Sequence, residues 1–327
     1  MKNIGVFITE YSLLIFLLIY KRWDQVTFIF WDTRIQSDVM RRLKKCGARG
    51  VWGEKTATYR DQIKNKQQRL IKFAHKILRE LLRIRIDVFI KCYPRKSVCA
   101  YGQDHSELAA KLRSYNFTVI EDGLANYFER DFLEHVYKTR CGMAPDESLS
   151  YLPFGWDDSI SRIYLAGRAP VPEGIKKKCK IFDVRALWNE KTEEEKRKIC
   201  YVFGFNLDYL LDIVRKGRDI FLLTQNYAPA LCTEEQQVSI YRKLLSKYDL
   251  RRVVIKTHPG DSIAYEKYFR DCLVMRENFP FELMYFMQIP IQKIIGIDST
   301  ALYGLWEASY IESHEEIGKA LWKKVNM

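Results

Sequence analysis

The chain has 327 residues, 47% of them hydrophobic, with 54 Lys and Arg against 41 Asp and Glu for a formal net charge of +13. That apolar content excludes a disordered or low-complexity protein, and the length exceeds the size at which one core stops growing, so two domains are expected. The positive surplus calls for an anionic partner, which could be a phosphate-bearing ligand, a nucleic acid or an acidic membrane surface.

The run 3–9 (NIGVFIT) reads as a strand, 11–20 (YSLLIFLLIY) as a buried helix and 21–32 (KRWDQVTFIFWD) as a second strand. This order is the first unit of a parallel α/β sheet. The ten apolar residues of 11–20 fall short of the roughly 20 that a spanning helix needs, and no small-residue cleavage site follows them. Residues 41–47 read as a helix end, and 61–83 as an amphipathic helix with a basic surface, on which His75 is a packing or solvent-facing residue. Strands are expected at 86–93 (IDVFIKCY), 97–102 (SVCAYG) and 117–123 (FTVIEDG), with a helix at 105–115.

Pro153, Pro170 and Pro172, interleaved with Gly155, Gly167 and Gly174, suggest a connection over 156–190 that holds one short strand, RIYLAG. It would join a domain of 1–155 to one of 191–327. The second half alternates again, with strands at 219–225, 251–258, 271–275 and 293–298 and helices at 233–247, 262–270 and 300–308. Eight scattered cysteines without a C-x-x-C pair fit a reducing compartment and give no zinc site.

Two doubly wound domains place ligands at the carboxyl ends of their strands, in a cleft between them. Three strand ends carry reactive residue types: Glu121-Asp122-Gly123, Lys256-Thr257-His258-Pro259 and Asp298-Ser299-Thr300. Adjacent carboxylates on a strand point to opposite faces, so only one of Glu121 and Asp122 faces the cleft. Gly123 lets the backbone approach a ligand, and Pro259 fixes the backbone beside an imidazole that titrates near neutrality. Ser299 and Thr300, entering a helix, would combine hydroxyl donors with the positive end of a helix dipole.

In this order the three motifs resemble those of the bacterial GT-B sialyltransferases: a D/E-D/E-G motif, a K-x-H-P motif and a Ser/Thr motif. The length and the LLTQNYA stretch before KTHP are most similar to glycosyltransferase family 52. The resemblance implies two Rossmann-like domains facing a central cleft, and inverting transfer from CMP-sialic acid to a galactose-ended glycan of lipooligosaccharide or capsule. It makes Asp122 the general base and His258 the partner of the leaving phosphate. Ser299, Thr300, Lys256 and Pro259 would sit on the donor, and Glu121 and Gly123 on the substrate.

Gln225 and Asn226 are expected nucleotide contacts. Gln103, Asp104 and His105 are expected at the acceptor sugar, with an N-cap as the other role for Asp104. Glu234 and Glu235 are either the alternative base or first-turn acids of a helix. No D-x-D is present, so neither cofactor nor metal is expected, and G-x-G-x-x-G and Walker A loops are absent.

A related hexosyltransferase with a UDP-sugar donor is the alternative activity, and a basic nucleic-acid-binding protein the alternative class. Lys and Arg dispersed over both halves without a binding motif weigh against nucleic acid as a partner. The expected place is the cytoplasm, with one basic helix face touching the anionic inner leaflet of a bacterial membrane. The aromatic C-terminal stretch 301–325 is expected to pack back across the cleft or on a second copy, as in a homodimer.

Overall fold

Val26–Phe30 is apolar but for Thr27 and buried at every position. A strand with no polar alternation must be covered on both faces, which is the condition of a parallel sheet flanked by helices. The computed structural model describes residues 1–31, 33, 35–53, 66–141, 143–144, 147, 149, 151–228, 231–303 and 306–325. The chain forms two units, Met1–Phe203 and Gly204–Met327.

The first unit is a seven-stranded parallel sheet of β1 (Lys2–Val6), β2 (Val26–Phe30), β3 (Gly50–Gly53), β4 (Val98–Gly102), β5 (Asn116–Ile120), β6 (Arg162–Leu165) and β7 (Cys179–Ile181). Its order is β3-β2-β1-β4-β5-β6-β7. The helices are α1 (Glu10–Ile19), α2 (Ser37–Lys45), α3 (Lys66–Lys91), α4 (Glu107–Leu112), α5 (Arg130–Cys141), α6 (Glu173–Lys176), α7 (Val184–Asn189) and α8 (Glu193–Phe203). α1 contacts β4 and β5 as well as α7 and α8. That accounts for its apolar sequence without a bilayer, and among the described residues no helix is long and apolar enough to cross a membrane.

The second unit has a five-stranded parallel sheet of β8 (Ile220–Leu223), β9 (Val253–Lys256), β10 (Leu273–Met275), β11 (Lys293–Gly296) and β12 (Ile311–Ser313), in the order β10-β9-β8-β11-β12. Its helices are α9 (Leu207–Arg215), α10 (Glu234–Leu245), α11 (Glu282–Phe286) and α12 (Glu315–Val325). In both sheets the strand order reverses beside the first strand, at β1/β4 and at β8/β11. Such switch points leave a crevice at the strand carboxyl ends.

Several expected elements differ. Residues 156–190 are not a bare connection: β6 and β7 extend the first sheet, and α7 and α8 keep the chain in the first unit as far as Phe203. The expected strand 86–93 is the end of α3, because Ile86 and Ile90, one turn apart, are buried while Val88 between them is exposed. The expected helices 262–270 and 300–308 reduce, among the described residues, to single turns at Tyr265–Lys267, Thr300–Leu302 and Ala308–Tyr310. Ile317 and Leu321 of α12 join the core of the second sheet, so the C-terminal stretch packs on its own unit. Residues 61–65 of the expected basic helix and the side chain of His75 lie outside the described residues.

Candidate active site

In the first unit the carboxyl ends of β1, β4 and β5 converge. β5 ends at Ile120, and the two carboxylates that follow part company, as alternation requires. Glu121 has no exposure. It accepts hydrogen bonds from Tyr11 Oη (2.5 Å), Tyr127 Oη (2.6 Å) and the Ala166 N–H (2.5 Å), with Arg168 Nε at 3.2 Å. Burial pushes its pKa up, and the Arg168 guanidinium and the two tyrosines pull it down. The expected substrate contact of Glu121 is therefore corrected: every donor around it belongs to the fold.

Asp122 turns the other way, its side chain 14% exposed. Oδ1 accepts from Thr9 Oγ1 (2.9 Å) and Ser12 Oγ (3.1 Å), at the N-cap and first turn of α1. Its own N–H donates to Asn126 Oδ1 at 2.8 Å. Oδ2 stands 3.5 Å from His105 Nε2. The carboxylate is thus anchored by one oxygen at a helix N-terminus, where negative charge is favoured. Gly123, at φ 115, makes the turn that follows.

At the β1/β4 switch point, Gln103 is buried with Oε1 accepting from the Ile8 N–H at 2.7 Å, while its Nε2 has no hydrogen-bond partner. His105 packs on Phe154 with ring centroids 5.0 Å apart, and its buried Nδ1 also lacks a partner. Asp104 is buried and taken up by the fold, which corrects its expected place at the acceptor sugar. Both its oxygens receive backbone N–H groups, from Phe154 and Gly155 at 2.8 Å each, and those residues hold φ of 63 and 90. The two successive backbone N–H groups of this turn make an anion-binding concavity, here filled by a carboxyl group of the same chain. The N-cap of α4 is Ser106. Asp104→Ala is expected to cost about 3 kcal/mol, since hydrogen bonds to a charged group are worth roughly 1.5–3 kcal/mol each; the urea midpoint measures it.

In the second unit the residues after β8 and β9 form one network. Thr224 Oγ1 accepts the His258 N–H (3.0 Å) and donates to Asp261 Oδ2 (2.7 Å), which also accepts from Tyr265 Oη (2.7 Å). Gln237 Nε2 donates to the Gln225 carbonyl (2.6 Å) and to Tyr265 Oη (2.9 Å). The Gln225 N–H donates to Tyr241 Oη at 2.7 Å. With its amide oriented to satisfy both contacts, Asn226 donates to the Gly260 carbonyl at 2.8 Å and the Ala228 carbonyl at 3.2 Å. These bonds hold the His258-Pro259-Gly260-Asp261 turn rigid against β8.

The turn also sets the tautomer of the neutral imidazole. His258 Nδ1 accepts the Gly260 N–H at 3.0 Å, so in the neutral ring the proton sits on Nε2 and that nitrogen is the donor. Pro259 is exposed, whereas Lys256 is buried, with Nζ 5.0 Å from the centroid of the Phe279 ring. Ser299 and Thr300 follow β11 at the β8/β11 switch point, but they open only a three-residue turn, Thr300–Leu302, with Ser299 at its N-cap. A turn this short supplies no helix dipole, which corrects that expectation, and Ser299 makes no side-chain cap bond. Glu234 and Glu235 are exposed in the first turn of α10, behind the Thr233/Gln236 capping box, and Glu234 accepts from Tyr268 Oη at 2.8 Å. Their role as first-turn acids explains this placement.

The first unit thus brings Gln103, His105 and Asp122 together, and the second gathers Gln225, Asn226 and His258, with Ser299 and Thr300 at the neighbouring strand end. Sequence reasoning missed Thr9, Ser12 and Asn126 around Asp122, and Thr224, Gln237 and Asp261 around His258. Thr9 had a signal: a threonine between an apolar strand and an apolar helix is an N-cap candidate. Among the described residues no group of three or more His, Cys, Asp and Glu side chains could hold a metal ion.

Two Rossmann-like parallel sheets in one chain, each with polar residues at its switch point, define the GT-B fold of glycosyltransferases. The model of glycosyltransferase family 52 matches residues 48–312, and the chain belongs to that family. An uncharacterized protein of Haemophilus influenzae is 31% identical over 205 residues, 62% of this chain and 64% of that protein. The chain therefore covers less than two thirds of that relative's length.

Solved structures that share the fold include two sialyltransferases. One is the 2,6-sialyltransferase of Photobacterium sp. JT-ISH-224 in a ternary complex with CMP and lactose, with a TM-score of 0.61 and 10% identity over 95% of this chain and 71% of that one. The other is an α/β-galactoside α-2,3-sialyltransferase from Photobacterium phosphoreum, with a TM-score of 0.54 and 14% identity over 96% and 90%.

Proposed function

We propose that this chain is an inverting sialyltransferase that moves sialic acid from CMP-sialic acid to a galactose-ended glycan of bacterial lipooligosaccharide or capsule. The observation that carries the reading is the His258 turn: the Gly260 N–H on Nδ1 makes Nε2 the donor, the form suited to a leaving phosphate. The ternary complex of the Photobacterium 2,6-sialyltransferase, which holds CMP and lactose, supports the choice of donor and acceptor.

In this mechanism Asp122 Oδ2 takes the proton of the acceptor hydroxyl as its oxygen attacks the anomeric carbon. The bond from that carbon to the CMP phosphate oxygen breaks, and the electron pair leaves with the phosphate. His258 Nε2–H donates to that oxygen, and the Ser299 and Thr300 hydroxyls and the buried Lys256 charge offset the developing negative charge. No step calls for a metal, so EDTA is expected to leave the rate unchanged.

The donor is tested by thermal melting with CMP and with UDP. Saturable stabilisation by CMP alone supports the reading, and stabilisation by UDP alone favours a hexosyltransferase of the same family. His258→Ala is expected to lower kcat for transfer by about 10²-fold, the low end for loss of a positioned proton donor. Steady-state kinetics with lactose as acceptor measure that effect.

A further inference from the structure

The Asp298-Ser299-Thr300 motif begins with a carboxylate to which the transfer mechanism gives no part. Ile297 and Leu302 on either side are buried, so 298–301 form a short, half-buried span between two core anchors. Asp298 ties this span inward again. Its Oδ1 accepts from Tyr227 Oη, whose side chain is 3% exposed in the core of the second sheet. Its Oδ2 lies against Gly318 of α12, where a Cβ would come within 3.0 Å of it, so the glycine gives the carboxylate its seat. At the far end of the turn Tyr303 Oη donates to Glu315, in the first turn of α12.

Tyr227 belongs to the loop after β8, and that loop also holds the imidazole turn. Thr224 accepts the His258 N–H at 3.0 Å, and Asn226 donates to the Gly260 carbonyl at 2.8 Å. Residues 224–227 therefore meet the turn that aims His258 and, through Asp298, the turn that presents Ser299 and Thr300. A hydroxyl stabilises a developing charge best when it is aimed before the charge forms. A three-residue turn with no helix behind it lacks the rigidity for that. A tyrosine anchored in the core and bonded to the residue before the hydroxyls supplies it.

We propose that Tyr227 is a positioning residue: through Asp298 it holds the Ser299 and Thr300 hydroxyls on the phosphate of the donor nucleotide, in fixed register with His258. The proposal rests on the assignment of that phosphate to Ser299 and Thr300 under the proposed function. Tyr227 acts through Asp298 and not on the nucleotide, so its loss is felt at the phosphate and not at the nucleoside.

The test is calorimetric binding of CMP and of cytidine to the full chain, two ligands that differ only in the phosphate. The wild type should prefer CMP by about a hundredfold. Tyr227→Phe keeps the buried ring and removes one oxygen; it should weaken CMP by about tenfold, the low end for a hydrogen bond to a charged group, and leave cytidine unchanged. In the double variant Ser299→Ala, Thr300→Ala, adding Tyr227→Phe should change CMP binding by less than about twofold, because the hydroxyls it positions are gone. Asp298→Ala reaches the same turn from the other end and should reproduce Tyr227→Phe, which keeps the test open if the tyrosine variant folds poorly. Tyr248→Phe removes a similar bond of the same unit, from Tyr248 Oη to Glu312 at 2.5 Å, and should leave both affinities as they are. The proposal alone is overturned if Tyr227→Phe binds CMP as the wild type does, weakens cytidine equally, or costs the same tenfold without the two hydroxyls, or if Tyr248→Phe matches its effect. A wild type that prefers UMP over uridine, and not CMP over cytidine, overturns the donor assignment, and the same variants then decide the role of Tyr227 on that pair. A wild type indifferent to the phosphate of both nucleotides overturns the phosphate site and this proposal with it.

Discussion

Asp122→Asn is expected to lower kcat for transfer by about 10²- to 10⁴-fold, the range for loss of a positioned general base. The amide oxygen can still accept from Thr9 Oγ1 and Ser12 Oγ, and the backbone N–H still reaches Asn126. The variant should therefore fold as the wild type does and melt within a degree or so of it, since the anchoring bonds survive. What it loses is the oxygen that stands 3.5 Å from His105 and could take a proton. Binding of CMP, which depends on the second unit in this mechanism, should be unchanged by calorimetry. A variant that transfers at the wild-type rate would move the base elsewhere, with Glu234 and Glu235 the first residues to test.

The neighbouring carboxylate should behave in the opposite manner. Glu121→Ala is expected to destabilise the protein by about 3–5 kcal/mol, the cost of removing one partner of a buried ion pair. The Arg168 side chain is 2% exposed and stacks over Tyr11, its guanidinium carbon 4.6 Å from the ring centroid. Without Glu121 the guanidinium loses its carboxylate partner, while Nε still donates to the Tyr11 oxygen at 2.9 Å. Tyr127 Oη and the Ala166 N–H also lose their acceptor. Urea unfolding followed by tryptophan fluorescence measures the effect, and a loss below about 1 kcal/mol would mean that water or a rearranged loop replaces the carboxylate. One pair of adjacent acids would then show a loss of rate at Asp122 and a loss of stability at Glu121.

Much of the fold could be read from the sequence because parallel strands buried on both faces leave unbroken apolar runs. β2 and β9 are recognised that way, and α1 is recognised as a buried helix by being apolar all round. The edge strands β3, β7 and β12 have three or four residues each and too little pattern to stand out. The end of α3 was misread because IDVFIKCY is short, apolar and β-branched, and only its burial separates a helix turn from a strand. Motif reasoning singled out Asp122, His258 and the Ser299-Thr300 pair, and the structure places each of them just after the carboxyl end of a strand.

It did not find the residues that hold those groups, because they come from distant positions. Ser12 meets Asp122 across 110 residues, and Thr224 meets Asp261 across 37. Spacing along the chain carries no trace of such pairs. Asp104 shows the converse: a carboxylate at a strand end has the look of a ligand contact until a loop 50 residues on is seen to fill it.

The most direct measurement of the account is an NMR time course of the wild-type protein and Asp122→Asn with CMP-sialic acid and lactose. The account predicts sialyl-lactose of inverted anomeric configuration accumulating with the wild-type protein, and no product on that timescale with the variant. Retained configuration, or equal product from both proteins, would contradict it.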